Sequence, residues 1–386
     1  MLLGVLIALT PLGTDIYLPA LPAVADAFGA PVASTQLTLT TFFLGLAFGQ
    51  LAWGPLSDRF GRKPVLLAGL GLALAAALAA VSAESVQQIV LLRFVQGLGL
   101  SSGPVVARAI VRDLYSHDLA ARLLSRMTMV FAVVPISAPL LGALILGYAG
   151  WPAIFWAMAG ITVAVALGCA GLRESAPAER RSIHPARIFG TFGAILRERS
   201  FVAPFLVMLS TQAGIFAFVS GSAFAFTQGY GVSGRLYGVL FATVMLGQIA
   251  GSWLGSRLVL RIGVTGLLRA GAALSMTAGL AALAAAWSGA PHWSAMVAPF
   301  ALYMFAASLT IPNAQAAALT PFPKTAGAAS SLIGASAFAL GATISALLGA
   351  AFDGSARPMA GVAACAGIAA FSFERWLVRP VLKWKA

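Results

Sequence analysis

Three ionisable residues stand inside long apolar runs of this chain: Asp15, Arg93 and Arg108. A carboxyl in such a place can take up and release a proton. Its proton affinity rises on desolvation and falls beside a guanidinium. An Asp and an Arg whose surroundings alternate can therefore move protons. Asp15 is the candidate carrier and Arg93 its candidate partner. Other chemistry has little support. The three histidines, His117, His184 and His292, fall in loops or at the ends of apolar runs. No HExxH, GxSxG or Walker pattern occurs, so metal hydrolysis and ATP-driven pumping are not supported. We expect no catalytic residue, no metal site and no organic cofactor, with the proton as coupling ion. Cys169 and Cys365, each within an apolar run, read as two separate buried thiols.

The elements that must hold these residues follow from composition. The chain has 386 residues, 60% hydrophobic and 9% charged, against about 25% charged in a soluble domain. A bilayer is its natural solvent. A spanning helix needs roughly 20 mostly apolar residues. Twelve such runs are predicted, at about 2–21, 34–56, 64–82, 87–111, 123–146, 151–171, 201–227, 236–258, 265–287, 293–318, 325–351 and 358–378. The fold class is thus all-α, twelve transmembrane helices in two six-helix halves. Residues 1–171 form the first half, 172–200 a solvated charged linker, and 201–386 the second half with a short basic tail. The first run starts at Met1 with no basic residue before it, and Thr14-Asp15 at its centre are wrong for a cleaved signal. A short basic tail absent from the start is the expectation.

The net charge of +13 does not form a nucleic-acid stripe. Its members gather in alternate loops: Arg59, Arg62 and Lys63; Arg112, Arg122 and Arg126; the linker; Arg257, Arg261 and Arg269; Lys324; and a tail with Arg375, Arg379, Lys383 and Lys385. The opposite side has only Arg235 and Arg357, with Asp26, Glu84 and Asp353. The basic side reads as cytoplasmic, which puts both termini there. At about 1.5 Å per residue, Asp15 lies roughly 20 Å along its helix and Arg93 about 10 Å into an oppositely directed one. In a core of about 30 Å both reach a similar depth. They could pair, or each could be satisfied separately by backbone or water. Arg108 lies near the basic end and is expected to snorkel or to join the Asp58–Arg59 network.

The sequence also repeats. Shifted by 202 residues, Leu44-Gly45 falls on Leu246-Gly247, Gly49 on Gly251, Arg59 on Arg261 and Gly61 on Gly263, while Asp58 falls on Leu260. Six-helix halves related in this way are a transporter plan, with the substrate between them near the midplane.

The turn Gly54-Pro-Leu-Ser-Asp58-Arg59-Phe-Gly61-Arg62-Lys63 resembles motif A of the major facilitator superfamily. Gly54 and Pro55 are expected to close the second helix. The resemblance implies that the acid rests on a helix N-terminus of the other half and steadies one access state, with the start of the eleventh span near Lys324 and Thr325 as candidate partner. Arg93-Phe-Val-Gln96-Gly97-Leu-Gly99 resembles motif B of proton-coupled facilitators, where the Arg is tied to proton translocation. Pro135-Ile-Ser-Ala-Pro139-Leu-Leu-Gly142 resembles the antiporter motif of drug exporters, although Ala138 and Ala143 stand at expected glycines. A kinked helix packed through small residues would look the same.

With Thr14-Asp-Ile-Tyr-Leu-Pro-Ala-Leu-Pro22 and Ala107-Arg-Ala-Ile-Val-Arg-Asp-Leu-Tyr115, the first half is similar to the Bcr/CflA subfamily of drug–proton antiporters. The second half is similar mainly in span pattern and in pieces such as Ile311-Pro-Asn-Ala314. The resemblance implies a monomer of the bacterial inner membrane that exports small amphipathic compounds, bicyclomycin- or phenicol-like, against inward proton flow. A cavity needs apolar walls and a few polar groups. Tyr17, Gln36, Thr40 and Gln96 are candidates in the first half; Gln212, Phe216, Phe218, Tyr303 and Asn313 are candidates in the second. A Phe-rich helix equally suits packing. The main alternative is a facilitator of the same fold that exports an amino acid or imports a nutrient. A receptor or scaffold is the distant one, since it leaves an intramembrane Asp and Arg without purpose.

Overall fold

Long apolar runs, interrupted by Gly, Pro and charged turns, form long helices. The computed structural model describes residues 2–115, 117–176, 185–289, 292–322 and 325–380, with side chains described only in part in the helices His117–Ala149 and Pro185–Arg197. All regular structure among the described residues is helical. Ten of these helices are long and apolar enough to cross a membrane. One of the ten, Gly234–Trp287, holds two spans that turn at Gly263, whose φ is 71°. The helix His117–Ala149, apolar over Val133–Ala149, adds another. The spans in order are Leu2–Phe28, Val32–Phe60, Arg62–Val81, Val86–Leu114, His117–Ala149, Pro152–Ala170, Arg199–Gly229, the two arms of Gly234–Trp287, Ser294–Leu319, Ala326–Ala350 and Arg357–Val378. We refer to them as the first to the twelfth.

The chain divides into two compact units, residues 1–184 and 185–386. Within the first, the second span packs on the fourth, the first on the fifth and the third on the sixth. Within the second, the tenth span packs on the Gly234–Trp287 arms and on the seventh, and the twelfth does the same. Apolar attraction between helices is weak in lipid, so close backbone approach must hold them. Gly45 lies against the Phe94 carbonyl and Gly97 against that of Phe42, and a Cβ at either would overlap that backbone. In the second unit Gly247 meets the Ala301 carbonyl and Gly251 that of Phe305 in the same manner.

Three local features differ from the sequence expectation. The first span does not end near residue 21. Its helix Leu2–Asp15 stops, a turn and a 3-10 segment cover Ile16 to Ala20, and a short helix Leu21–Phe28 follows. Pro19 and Pro22 lack the N–H groups that would continue the ladder. Gly54-Pro55 does not close the second helix, which runs through to Phe60; the stop is Gly61, at a φ of 103°. One proline costs one hydrogen bond, and the rest of the turn carries the helix on. The span 172–200 is not all solvated linker. It contains the helix Pro185–Arg197, whose Ile195 is buried with Phe201, Val207, Leu268 and Ile333. Ile188, Phe192 and Ile195 recur at helical spacing, a pattern masked by the arginines around it.

Candidate functional site

The break after Asp15 decides what surrounds the buried charges. Because the helix stops there, Tyr17 swings into the core of the first unit, where its hydroxyl donates to Thr38 Oγ1 at 3.1 Å. Arg93, on the fourth span, is fully buried. Its Nη1 donates to the carbonyl of Gly13 at 2.9 Å and to Gln96 Oε1 at 2.7 Å. The guanidinium carbon lies 3.9 Å from the ring centre of Phe42 and 4.5 Å from that of Tyr17. Nε and Nη2 have no hydrogen-bond partner. Gln96 in turn donates to Met158 Sδ at 3.3 Å. Asp15 is 5% exposed, two residues from the carbonyl that Arg93 holds. Among the described residues it makes no hydrogen bond, and the ion pairs are Arg62–Asp58, Arg62–Asp113, Arg269–Glu374 and Arg379–Glu374. The sequence allowed an Asp15–Arg93 pair. The structure brings the two into one region of one half without joining them.

The charged turn is built around Arg62. Its side chain bridges Asp58 at 2.5 Å and Asp113 at 2.8 Å, and Nη1 donates to Ser57 Oγ at 2.7 Å. Asp113 comes from the end of the fourth span, and sequence reasoning did not select it; only its place beside Arg112 in a basic turn hinted at a role. Glu174, just past the sixth span, accepts from the backbone N–H of Arg62 at 2.8 Å and of Lys63 at 3.2 Å, capping the third span. Lys63 Nζ returns to the carbonyl of Ala170 at 2.5 Å. Gly61 is required twice, by its positive φ and because a Cβ would strike the Glu174 carboxylate. Partial burial raises the Glu174 pKa, but N–H donors from Ala176, Arg62, Lys63 and Ser175 outweigh that and hold it below the usual carboxylate range. Arg108 does not reach Asp58 or Arg59. It points to Gln50 Oε1, 3.4 Å away, because its helix presents it one turn before Arg112 and Asp113. Lys324, a candidate partner of Asp58, lies outside the described residues.

The chain as a whole is matched by known proteins. The Major Facilitator Superfamily profile covers residues 3–346. The chain belongs to the Major Facilitator Superfamily. It is 33% identical, over 92% of its length and 90% of the relative's, to a bicyclomycin resistance protein homolog of Haemophilus influenzae. It is 36% identical to a chloramphenicol resistance protein of Pseudomonas aeruginosa, over 69% of this chain and 65% of that one. Multidrug resistance protein D of Escherichia coli is 29% identical over 86% and 84%. In fold, it matches a crystal structure of a D-xylose–proton symporter with a TM-score of 0.77 over 97% of each chain, at 16% identity. The Bcr/CflA resemblance of the first half stands, and the facilitator is a multi-pass membrane protein.

Other residues selected from sequence are placed as follows. In the first half of this facilitator, Tyr17, Gln36, Thr40 and Gln96 are all buried. Tyr17 is engaged with Thr38, and Gln96 with Arg93 and Met158. Pro135, Pro139 and Gly142 lie on the fifth span, and Gly142 packs against the Ile16 carbonyl at the break of the first. In the second half Phe218 packs at a tilt on Phe241 and Phe300 with ring centres 5.1 and 5.0 Å apart. Phe216 meets Phe338 edge-on. Tyr303 donates to the Thr211 carbonyl at 3.3 Å. Gln212 and Asn313 are half-buried, and Asn313 donates to the Leu309 carbonyl at 2.7 Å. Sequence reasoning also missed Glu374, 2% exposed at the end of the twelfth span and flanked by Arg269 and Arg379. Its run of charges, Glu374-Arg375, was hidden by its closeness to the tail.

Proposed function

We propose that this facilitator exports small amphipathic compounds, bicyclomycin- or phenicol-like, across the bacterial inner membrane in exchange for inward-moving protons. It does so by alternating access as a monomer, with both termini and the Asp58–Arg62–Asp113 network on the cytoplasmic side. The resistance proteins it resembles support the cargo class. The one observation that carries the coupling is that Asp15 and Arg93 are buried in the same half and, among the described residues, neither has a countercharge in contact.

A carboxylate buried without a partner is costly, so Asp15 holds its proton in this arrangement. Once water or Arg93 reaches it from the opposite side, the anion is favoured and the proton leaves. Arg93 then has a carboxylate for the two nitrogens, Nε and Nη2, that are orphaned here. Substrate and proton compete for the region in turn, and that competition makes the exchange obligatory. Asp15→Asn is expected to abolish substrate-induced proton release in energised everted vesicles while the protein remains in the membrane. Release at the parental rate from the Asn variant overturns the carrier assignment. Overexpression is expected to lower accumulation of a phenicol or bicyclomycin-like compound in a sensitised host. Net uptake of a metabolite with no effect on such compounds overturns the export reading.

A further inference from the structure

A buried arginine with no carboxylate beside it needs some other source of negative potential. Here that source is two aromatic faces. Phe42 and Tyr17 contact the Arg93 guanidinium at 3.9 and 4.5 Å from their ring centres, and both rings are themselves fully buried. We infer that Phe42 and Tyr17 are positioning residues for proton coupling, serving as the neutral counter-ion that holds Arg93 while Asp15 is protonated. This inference rests on the assignment of Asp15 as carrier.

The rings are fixed by construction. Tyr17 is pinned by its hydrogen bond to Thr38 and by contact with Phe155 at 5.6 Å between centres. Phe42 is seated by glycine. A Cβ on Gly13 would fall 3.1 Å from Phe42 Cζ, and Gly97 lies against the Phe42 carbonyl. Gly97 thus has a second purpose besides helix packing. The two rings reach Arg93 from different spans, so two elements hold the cation.

Among the described residues, no other charge contacts the guanidinium. The first span brings Asp15 and Tyr17 to this level. The second brings Phe42, with Asp58 and Arg59 at least 16 residues further on. The fourth has Arg93 itself, with Glu84 nine residues before it in the preceding loop and Arg108 fifteen after. The sixth brings Met158, by way of Gln96, and its Cys169 lies eleven residues beyond. A guanidinium over a ring is stabilised by the ring's quadrupole, most strongly when both are desolvated. That attraction is weaker than a carboxylate's. Arg93 therefore has two resting places, on the rings when Asp15 is neutral and toward Asp15 when it is ionised and outcompetes them. Two such states are what a switch requires. Without the rings, protonated Asp15 would leave Arg93 uncompensated, and the protonated state would be lost from the cycle.

The test keeps shape and changes only the π-face. Phenylalanines with one, two and three ring fluorines are installed at position 42 of the full chain, which is then reconstituted for substrate-induced proton release. Release is expected to fall stepwise with fluorination, by about tenfold across the series. Phe42→Trp is expected to restore it and Phe42→Leu to match the most fluorinated ring. The same fluorines at Phe201, equally buried but packed on Phe205 and Phe322 of the second unit, are expected to leave release unchanged. A flat series at 42, or an equal fall at 201, overturns the inference. Asp15→Asn is run alongside. If it abolishes release while the series at 42 is flat, the clamp alone fails. If it leaves release intact, the carrier assignment itself fails.

Discussion

The two halves share one helix-packing frame and fill it with opposite chemistry. Gly45 sits on the Phe94 carbonyl in the first half, and Gly247 on that of Ala301 in the second. Matching these contacts sets Arg93, one residue before Phe94, in the place of Phe300, one residue before Ala301. Arg93 lies over Tyr17 and Phe42. Phe300 lies 5.0 Å from Phe218, which lies 5.1 Å from Phe241. A cation on rings in one half is a ring among rings in the other. The ends of the halves differ in the same sense. Beside Gly61 stands a base bridging two acids, Asp58 and Asp113. Beside Gly263 nothing approaches, and Leu260, at the place of Asp58, is 91% exposed. The second half keeps its charge cluster elsewhere, as one acid, Glu374, between two bases. The repeat keeps the backbone contact, and the side chains at it differ: a buried charge in one half, aromatic packing in the other.

The sharpest way to break that division is to exchange the consequences at the two matched sites. Phe300→Ala should cost about 3–5 kcal/mol, since it empties an aromatic cluster. Arg93→Met should cost little, or stabilise, because a buried cation is replaced by an apolar chain of similar size. The functional ranking inverts: Arg93→Met is expected to lose proton-coupled transport entirely, whereas detergent-stable Phe300→Ala protein keeps measurable coupling. Denaturation midpoints in detergent and proton release on the same preparations check both. A large stability loss for Arg93→Met, with coupling retained, would show that the first half is also built for packing.

The clusters at the charged ends offer a smaller contrast. Removing Arg62 leaves Asp113 and Asp58, 17% and 36% exposed, facing each other without their base. Removing Glu374 leaves Arg269, 53% exposed, and Arg379, 22% exposed, both within reach of water. Arg62→Ala is therefore expected to cost about 2 kcal/mol and Glu374→Ala about 1 kcal/mol. Thermal midpoints at low and high salt check the order. Equal costs would mean that the second cluster carries more structural weight than its solvent access implies.

What sequence made legible was whatever depends on length, sign and spacing along the chain. Twelve apolar runs, the alternation of arginines and the Gly45–Gly247 repeat all belong to that kind. So did the buried pair itself, because Asp15 and Arg93 stand out in apolar surroundings. Contacts across the bundle were not legible. Nothing in the spacing of Phe42, 51 residues before Arg93, says that its face meets a guanidinium. That depends on helix rotation and on the break at Ile16–Ala20 that turns Tyr17 inward. Asp113 and Glu174 reach Arg62 from 51 and 112 residues away. A charge among charges in a loop gives no sign of which neighbour it will bond. The helix Pro185–Arg197 was obscured because its apolar stripe is diluted by Gly190, Gly193 and arginines, so composition read as linker.

The least costly perturbation of the comparison is acid. Glu174 caps Arg62 and Lys63 through their backbone N–H groups. The equivalent positions in the repeat, Val264 and Thr265, receive no side-chain bond among the described residues. Glu174 has its pKa held below the ordinary glutamate value of 4.5. A group depressed on folding contributes stability that is fully present above its unfolded value and is lost as pH falls through its folded value. The cap is therefore expected to stay intact at neutral pH, to weaken below about pH 4.5, and to be gone once the carboxyl is protonated. Hydrogen exchange at Arg62 and Lys63 should then speed up relative to the ordinary acid trend, while Val264 and Thr265 follow that trend throughout. Glu174→Gln should remove the step, because an uncharged amide has no proton to gain in this range. The effect on global stability is small, since the group is mostly exposed and screened. Its value lies in position: a step at Arg62 without one at Val264 would show that the first half alone ties its switch turn to the end of the sixth span.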